Sequence, residues 1–452
     1  MTGRLSREFQ ADDVNSGWKA FSDSKDLHAR IFLTILLLII YRVGTYVPMP
    51  GIDPVALEEF IGKTSAGIIG MFNVFAGGAV GRMAVFALGI MPYVSASIVV
   101  QLLSSMLPSL MELKKEGERG RTKINQYTRY ATVLLALIQG YSIAVGLEKQ
   151  GLALFGGHFF RMQATVVLVG GTIFLMWLGD QITSRGIGNG ISLIIFVGII
   201  AGIPRALAQL FESGRNGQIS SLVVVFTIIF GISIVYLVVF CERSQRRIPI
   251  QYPRRQVAAR VMQGERSHLP LKINTAGVIP PIFASSVLLL PVTAISFSQK
   301  TGGEGFLQTL SAYLGQGQPG YIICFAGLII FFAFFYTSIV LNPEDIADTL
   351  RSNGGFIPGI RPGKNTAEYL DGVLLRLTAF GSLYLAFVCL VPEIFIQKMS
   401  IPFYFGGTSL LIVVSVTIDV MSQVQSHIFS QKYNKMLKKS RTGSKKSRKR
   451  LS

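Results

Sequence analysis

Ten apolar runs of roughly bilayer length recur along this chain of 452 residues, and they leave few folds open to it. A helix crosses the ~30 Å hydrocarbon core with about 20 residues, and inside lipid every backbone N–H and C=O must find its partner within the protein. The runs lie at about Arg30 to Val47, Met83 to Leu107, Ala131 to Leu147, Ala164 to Leu178 and Ile191 to Ile203. They continue at Leu222 to Phe240, Ala276 to Phe297, Tyr321 to Leu341, Leu377 to Val391 and Ile401 to Val420. The fifth is short enough to read as a half-span. Half of the residues are apolar and only 15% are charged. A soluble domain carries about 25% charged residues and is thereby excluded, while the apolar half excludes a disordered basic chain. The sequence reads as an all-α polytopic membrane protein of ten transmembrane helices.

The 43 Lys and Arg exceed the 24 Asp and Glu, giving net charge +19, and their positions decide what that excess means. A nucleic-acid surface would gather them on one face, whereas the positive-inside rule confines them to alternate loops. With the N-terminus in the cytoplasm, 34 of the 43 fall on the cytoplasmic side and eight on the other. The last, Arg42, lies within the first span near its outer end, where a long side chain snorkels to the interface. Losing one span would scramble the later loops, so the alternation supports both termini inside. Residues 1–28 form a polar cytoplasmic segment with Trp18 and Phe21 on an interfacial helix; no cleavable signal peptide is read there, and the first span serves as the targeting signal. The ten basic residues from Lys432 to Arg450 make the tail, 425–452, a solvated, disordered contact for anionic lipids.

Ten spans invite a search for duplication. The second reads Gly89-Ile-Met-Pro92-Tyr-Val94-Ser-Ala96-Ser97, and the seventh reads Gly277-Val-Ile-Pro280-Pro-Ile282-Phe-Ala284-Ser285. The fifth opens Gly190-Ile-Ser192-Leu193-Ile194-Ile195, and the tenth opens Gly407-Thr-Ser409-Leu410-Leu411-Ile412. Pairing span two with seven and five with ten puts the chain into two halves of five, 29–210 and 211–424, with long cytoplasmic loops at 242–273 and 342–376. Five is odd, so the second half enters the membrane from the opposite side as an inverted repeat.

Inverted repeats suggest a secondary solute transporter, which usually needs ionisable groups at membrane depth. Arg42 alone is read there; Asp180, Glu393 and Asp419 lie near span ends, and the four histidines form no relay or zinc site. No Ser/His/Asp or HExxH arrangement is present, so an enzyme loses ground with the transporter. Cys241, Cys324 and Cys389 fall in or beside separate spans without CxxC spacing and read as packing residues, and no cofactor is implied. The spans hold Gly, Pro, Ser and aliphatics instead. Pro92 and Pro280 should kink or start their helices, and Ser95, Ser97, Ser285 and Ser286 are suited to bond between facing helices. The Gly-rich stretch from Phe72 to Arg82 is too short to span and reads as a re-entrant segment or an outer loop.

These motifs carry a resemblance. Phe86-Ala-Leu-Gly-Ile-Met-Pro-Tyr93, Gly179-Asp-Gln-Ile-Thr-Ser-Arg-Gly-Ile-Gly-Asn-Gly190, His268-Leu-Pro-Leu-Lys-Ile-Asn274, Phe356-Ile-Pro-Gly-Ile-Arg-Pro-Gly363 and Pro402-Phe-Tyr-Phe-Gly-Gly-Thr-Ser-Leu-Leu-Ile412 are similar to the most specific stretches of the bacterial SecY family, over nearly the whole chain. The resemblance implies a clamshell of two five-helix halves around an hourglass pore that passes unfolded secretory polypeptides and releases transmembrane segments laterally into the bacterial cytoplasmic membrane. It implies an aliphatic pore ring at Ile90, Val94, Ile191, Ile195, Ile282 and Ile412, and a plug at 68–82 containing Phe72, Asn73, Gly77 and Gly78. Spans two and seven would form a lateral gate, with Ser95, Ser97 and Gln101 facing Phe283, Ser285 and Ser286. The cytoplasmic loops would dock the SecA ATPase and the ribosome through Arg254, Arg255, Arg260 and Arg361; family members often carry two successive basic residues where this chain has Ala259 before Arg260. Other partners implied are SecE-like and SecG-like subunits, SecDF and YidC-like factors, signal peptides and nascent membrane proteins.

Overall fold

The computed structural model describes residues 25–53, 56–57, 73, 76–217, 219–252, 256–257, 260–261, 266–298, 318–398 and 406–448. Its membrane helices are α1 (Lys25–Gly44), α2 (Met91–Met106), α4 (Glu118–Lys149), α5 (His158–Arg185), α6 (Gly190–Arg215), α7 (Ser221–Arg243), α8 (Ile279–Ser298), α9 (Pro319–Val340), α11 (Lys364–Lys398) and α12 (Gly407–Arg448). Two short helices, α3 (Pro108–Lys115) and α10 (Pro343–Ser352), follow α2 and α9. Eight of the helices are long and apolar enough to cross a membrane; α2 counts only together with α3, from which it is bent by 100°, and α8 counts as a shorter apolar helix, Ile279–Leu288.

Several boundaries differ from the sequence reading, each for a local reason. The fifth run is a full helix of 26 residues, because Leu, Ala and Arg carry it past Pro204 to Arg215. The second run is helical only from Met91, since Gly89 takes a positive φ of 57° and Pro92 occupies the first turn. Pro280 likewise lies at the start of α8. Both prolines thus start helices, where a missing N–H costs nothing. The tail is helical through Arg448 rather than disordered, consistent with the good helix propensity of Lys and Arg.

Five helix pairs recur in both halves, and in the first half α1 packs on α5 as well. In the first half α2 packs on α4, α4 on α5, α5 on α6, α6 on α1 and α5 on α2; in the second, α8 packs on α9, α9 on α11, α11 on α12, α12 on α7 and α11 on α8. Halves meet chiefly where equivalent helices face each other, α2 with α8 and α6 with α12, as an internal pseudo-twofold demands. The glycines obey the same rule. A Cβ at Gly190 would lie 2.0 Å from the Gly179 carbonyl oxygen on α5, and one at Gly407 would lie 2.0 Å from the Val388 carbonyl oxygen on α11. Gly171 approaches the Val85 carbonyl just as Gly381 approaches that of Ile273, four residues before Gly89 and Gly277 respectively, and those last two both have positive φ, 57° and 65°.

Gly190→Ala and Gly407→Ala should therefore each force two helices apart and cost about 1–3 kcal/mol. Gly202→Ala, whose Cβ would meet nothing within 4 Å, is the control and should leave stability unchanged or slightly raised. Melting temperature of the detergent-purified protein distinguishes the two classes.

Candidate functional site

Four helices begin in or against one extended apolar core. Ile90 is the N-cap of α2 and Val94 lies in its first turn; Ile191 and Ile195 lie in the first two turns of α6, Ile282 in the first turn of α8 and Ile412 in the second turn of α12. Ile90, Val94, Ile195 and Ile412 are buried within a single apolar cluster, and Ile191 and Ile282, partly buried, pack against it. The orphan N–H groups of these buried helix starts are handled locally: Pro92 and Pro280 bring none, and Asn189 Oδ1 accepts from the Ile191 N–H at 3.1 Å.

The stretch read as a re-entrant segment or loop packs onto the same cluster, to which Ala76 and Ala79 belong. Asn73 shapes the turn: its Oδ1 accepts from the Gly81 N–H at 2.7 Å and its carbonyl accepts from the Gly78 N–H at 2.7 Å. Gly77, with φ of 66°, is wedged between α1 and α6, since a Cβ there would lie 2.9 Å from the Tyr41 hydroxyl and 3.1 Å from Gly198 Cα. Arg42 Nη1 donates to the Gly77 carbonyl at 2.6 Å. Phe72 lies outside the described residues.

On the candidate gate helices, α2 and α8, the hydrogen bonds described for the serines stay within their own helices. Ser285 and Ser286 hydroxyls both donate to the Ile282 carbonyl of their own helix at 2.9 Å, and Ser97 accepts from Gln101 on its own helix at 3.5 Å. A hydroxyl that finds an intrahelical carbonyl needs no partner across lipid. Ser95 is half-buried. Phe283 is turned onto α9, edge-on to Phe332 and Tyr336 at 5.8 and 6.4 Å between ring centroids. The α2–α8 contact therefore rests on shape. Elsewhere the halves are joined by polar bonds: the Gly188 N–H donates to Gln423 Oε1 at 2.8 Å, and Lys114 on α3 reaches the Ile339 carbonyl on α9 at 3.5 Å.

The described parts of the two long loops, 242–273 and 342–376, form one body. Strands β1 (Gln245–Gln251) and β4 (Arg266–Lys272) make an antiparallel hairpin, and between them β2 (Gln256–Val257) pairs with β3 (Arg260–Val261). This is the described departure from an all-α fold. Gln251 exchanges two backbone bonds with Phe356, and Ile248, Ile250 and Leu271 of the hairpin share a core with Leu350, Ile357, Leu370 and Leu374. The alternation Ile248, Ile250 was a legible strand signal that a reading for charge passed over. Arg260 opens β3 opposite Val257, Arg361 is exposed, and Arg254, Arg255 and Ala259 lie outside the described residues. Lys272 pairs with Asp419 on α12 at 3.9 Å and so links this body to the membrane helices.

Two carboxylates are buried: Glu242, which the sequence did not single out, and Glu393, read from the sequence only as lying near a span end. Glu393 is only 4% exposed in α11, and its Oε1 has no hydrogen-bond partner among the described residues. Glu242, at the end of α7, is bound at 2.7 Å by Asn274, which also holds the Gly277 turn before α8. Asp180 pairs with Arg129 at 2.6 Å. The three cysteines are free, and among the described residues no group of His, Cys, Asp and Glu is arranged to hold a metal.

This arrangement of helices is the fold of protein-conducting channels. A solved structure of a protein conducting channel superposes with TM-score 0.67 at 19% identity, covering 88% of this chain and 92% of that one. A SecY structure described for a plug domain that stabilises the closed state and maintains a membrane seal gives 0.62 at 20% identity, over 88% and 92%. Sec61 from the canine ribosome–channel complex also gives 0.62, at 18% identity over 88% and 92%. The SecY family model matches residues 84–421. The chain is 51% identical to the protein translocase subunit SecY of Escherichia coli K12, over 92% of this chain and 94% of that protein, and 50% identical to that of Rickettsia typhi, over 92% and 97%. It belongs to the SecY family.

The shared core of this loop body gives a direct test. Ile250→Ala should remove about 2–5 kcal/mol from that body alone. Limited proteolysis of membrane vesicles should then cut within 242–273 faster, while cleavage outside 242–273 and 342–376 stays at the wild-type rate.

Proposed function

We propose that the chain performs its family's work at the apolar constriction where α2, α6, α8 and α12 begin. Membership makes it the central, multi-pass channel subunit of a protein translocase, not an enzyme. The finer reading is that Ile90, Val94, Ile191, Ile195, Ile282 and Ile412 ring the pore, and the segment 68–82 plugs it. The observation that carries this reading is the single apolar cluster shared by plug residues Ala76 and Ala79 and ring residues from all four helices. An aliphatic collar dewets when narrow and so blocks ions, yet offers no directional bond that would select one passing peptide over another.

The α2–α8 seam serves as the lateral gate. It is closed by shape rather than by hydrogen bonds, so a segment apolar enough to prefer lipid can part it. Each Leu or Ile contributes roughly −0.3 to −0.6 kcal/mol at the membrane centre and an Arg about +3, which lets some twenty residues decide their own destination. No catalysis is required; the work is supplied by a SecA-like ATPase or by ribosomal elongation. The joined cytoplasmic body, with Arg254, Arg255, Arg260 and Arg361, is the docking surface, where arginines suit the phosphates of ribosomal RNA. The split of 34 basic residues against eight supports cytoplasmic termini in a bacterial inner membrane. SecE-like and SecG-like subunits complete the complex, SecDF and YidC-like factors are accessory, and anionic lipids meet the basic tail. An inverted-repeat solute transporter gains no support from the relatives.

Deleting residues 68–80, or replacing Ile282 and Ile412 together by Gly, should make resting vesicles permeable to iodide, read by quenching of an enclosed dye; unchanged permeability removes the ring and plug assignments. For the gate, a cysteine at Ser97 paired in turn with one at Ser285 or Ser286 should form a crosslink that stops export of a secretory precursor. Phe283 is a poorer partner because it faces α9. Full export through the locked pair would dismiss the seam as a gate.

A further inference from the structure

Arg42 stands in the last turn of α1, where a cation is favoured by the helix dipole with no further purpose. Its contacts go beyond that. Nη1 donates to the Gly77 carbonyl at 2.6 Å, across 35 residues of sequence, and Nη2 donates to the Tyr46 hydroxyl at 3.2 Å. The Tyr46 ring carries Arg42 on one side at 5.1 Å and Arg82, the last residue of the plug stretch, at 3.9 Å. Tyr41, one residue before Arg42, is buried against the same glycine. Neighbouring plug contacts are of another kind: Asn73 bonds within the segment, and Ala76 and Ala79 are held by apolar packing, which any similar surface would satisfy. Among the described hydrogen bonds of the segment, the Arg42 bond is the one that a side chain from outside it makes to its backbone.

We propose that Arg42 is the latch of the plug: a positioning residue whose charge-assisted bond to the Gly77 carbonyl, steadied by Tyr46, holds residues 76–82 against the apolar cluster of the pore ring until a translocating chain displaces them. The inference rests on the plug reading above. A bond to a backbone carbonyl suits a latch, because it fixes the segment's position whatever side chains the segment carries. A charged donor makes a stronger bond than a neutral one. It is also reversible, since a guanidinium that also donates to the exposed Tyr46 hydroxyl is not stranded when Gly77 leaves.

The test uses membrane vesicles holding the full chain with its partner subunits. Its three native cysteines are replaced by serine, and Val80→Cys then places a single thiol at a half-buried position of the plug. Two quantities are read: labelling of that introduced thiol by a membrane-impermeant maleimide, and iodide entry. Arg42→Met should raise labelling about tenfold, the shift in open population given by 1.4 kcal/mol, and should move iodide entry toward that of the 68–80 deletion. Arg42→Lys keeps a charged donor and should raise both by less, whereas a purely structural role for Arg42 would not order the two variants in this way. If the deletion leaks while Arg42→Met labels and leaks as wild type does, the latch is overturned and the plug stands. If the deletion itself is tight, the plug reading falls and the latch with it. Should Arg42→Met fail to accumulate, Tyr46→Leu, which leaves Arg42 but removes the ring that steadies it, should give a smaller rise of the same sign; wild-type labelling there overturns the proposal.

Discussion

Between helices in lipid the hydrophobic effect supplies little attraction, because a lipid tail is as apolar as a leucine; association must come from close packing and from polar bonds. This protein meets that constraint with glycine. At Gly190 on Gly179, Gly407 on Val388, Gly171 on Val85 and Gly381 on Ile273, helix or turn backbones approach to a distance that leaves little or no room for a methyl group. All four contacts lie inside one half or the other. Each half is therefore fixed to itself by its tightest contacts, and what joins the halves is of a different and weaker kind.

That difference bears on function. Where the halves meet, the described serine bonds of the α2–α8 seam stay within their own helices, and the described hydrogen bonds across, from Gly188 to Gln423 and from Lys114 to Ile339, are made elsewhere. A body tight within and loose between can open along a seam without unfolding either side. The six candidate ring residues come from the starts of four helices, two in each half, and lie in or against the larger apolar cluster, so a relative shift of the halves moves them apart with no hydrogen bond between their side chains to break.

Much of this was legible because the motifs are short and local. Pro92 and Pro280 marked helix starts, and the paired Gly-x-x-Pro and Gly-x-Ser patterns located the equivalent helices, whose neighbours turned out to be equivalent too. The resemblance carried by the longer motifs supplied the candidate ring, and its six residues fall in or against one cluster. The misreadings share a cause. Counting charges put 242–273 and 342–376 on the same side of the membrane but did not reveal that Ile248, Ile250 and Ile357 share one core there, with residues 251 and 356 paired. Ser285 and Ser286 looked available because a sequence does not show that the Ile282 carbonyl is nearer than the facing helix. Glu393 looked terminal because distance along a helix was taken for exposure, whereas the packing of α11 buries it.

By itself the sequence determined the class of this protein: ten apolar runs of bilayer length, basic residues confined by their loops, and two duplicated motif pairs follow from local chemistry that any fold of the chain must respect. The partners of individual polar groups were decided only in three dimensions. Arg42 was equally free to reach the interface or the protein, and it reaches Gly77 because Tyr41 and Gly198 close on that glycine and bring its carbonyl within 2.6 Å. A hydrogen bond depends on tenths of an ångström between residues 35 apart in the chain, and packing of α1 against α6 sets that distance, not the identity of either residue.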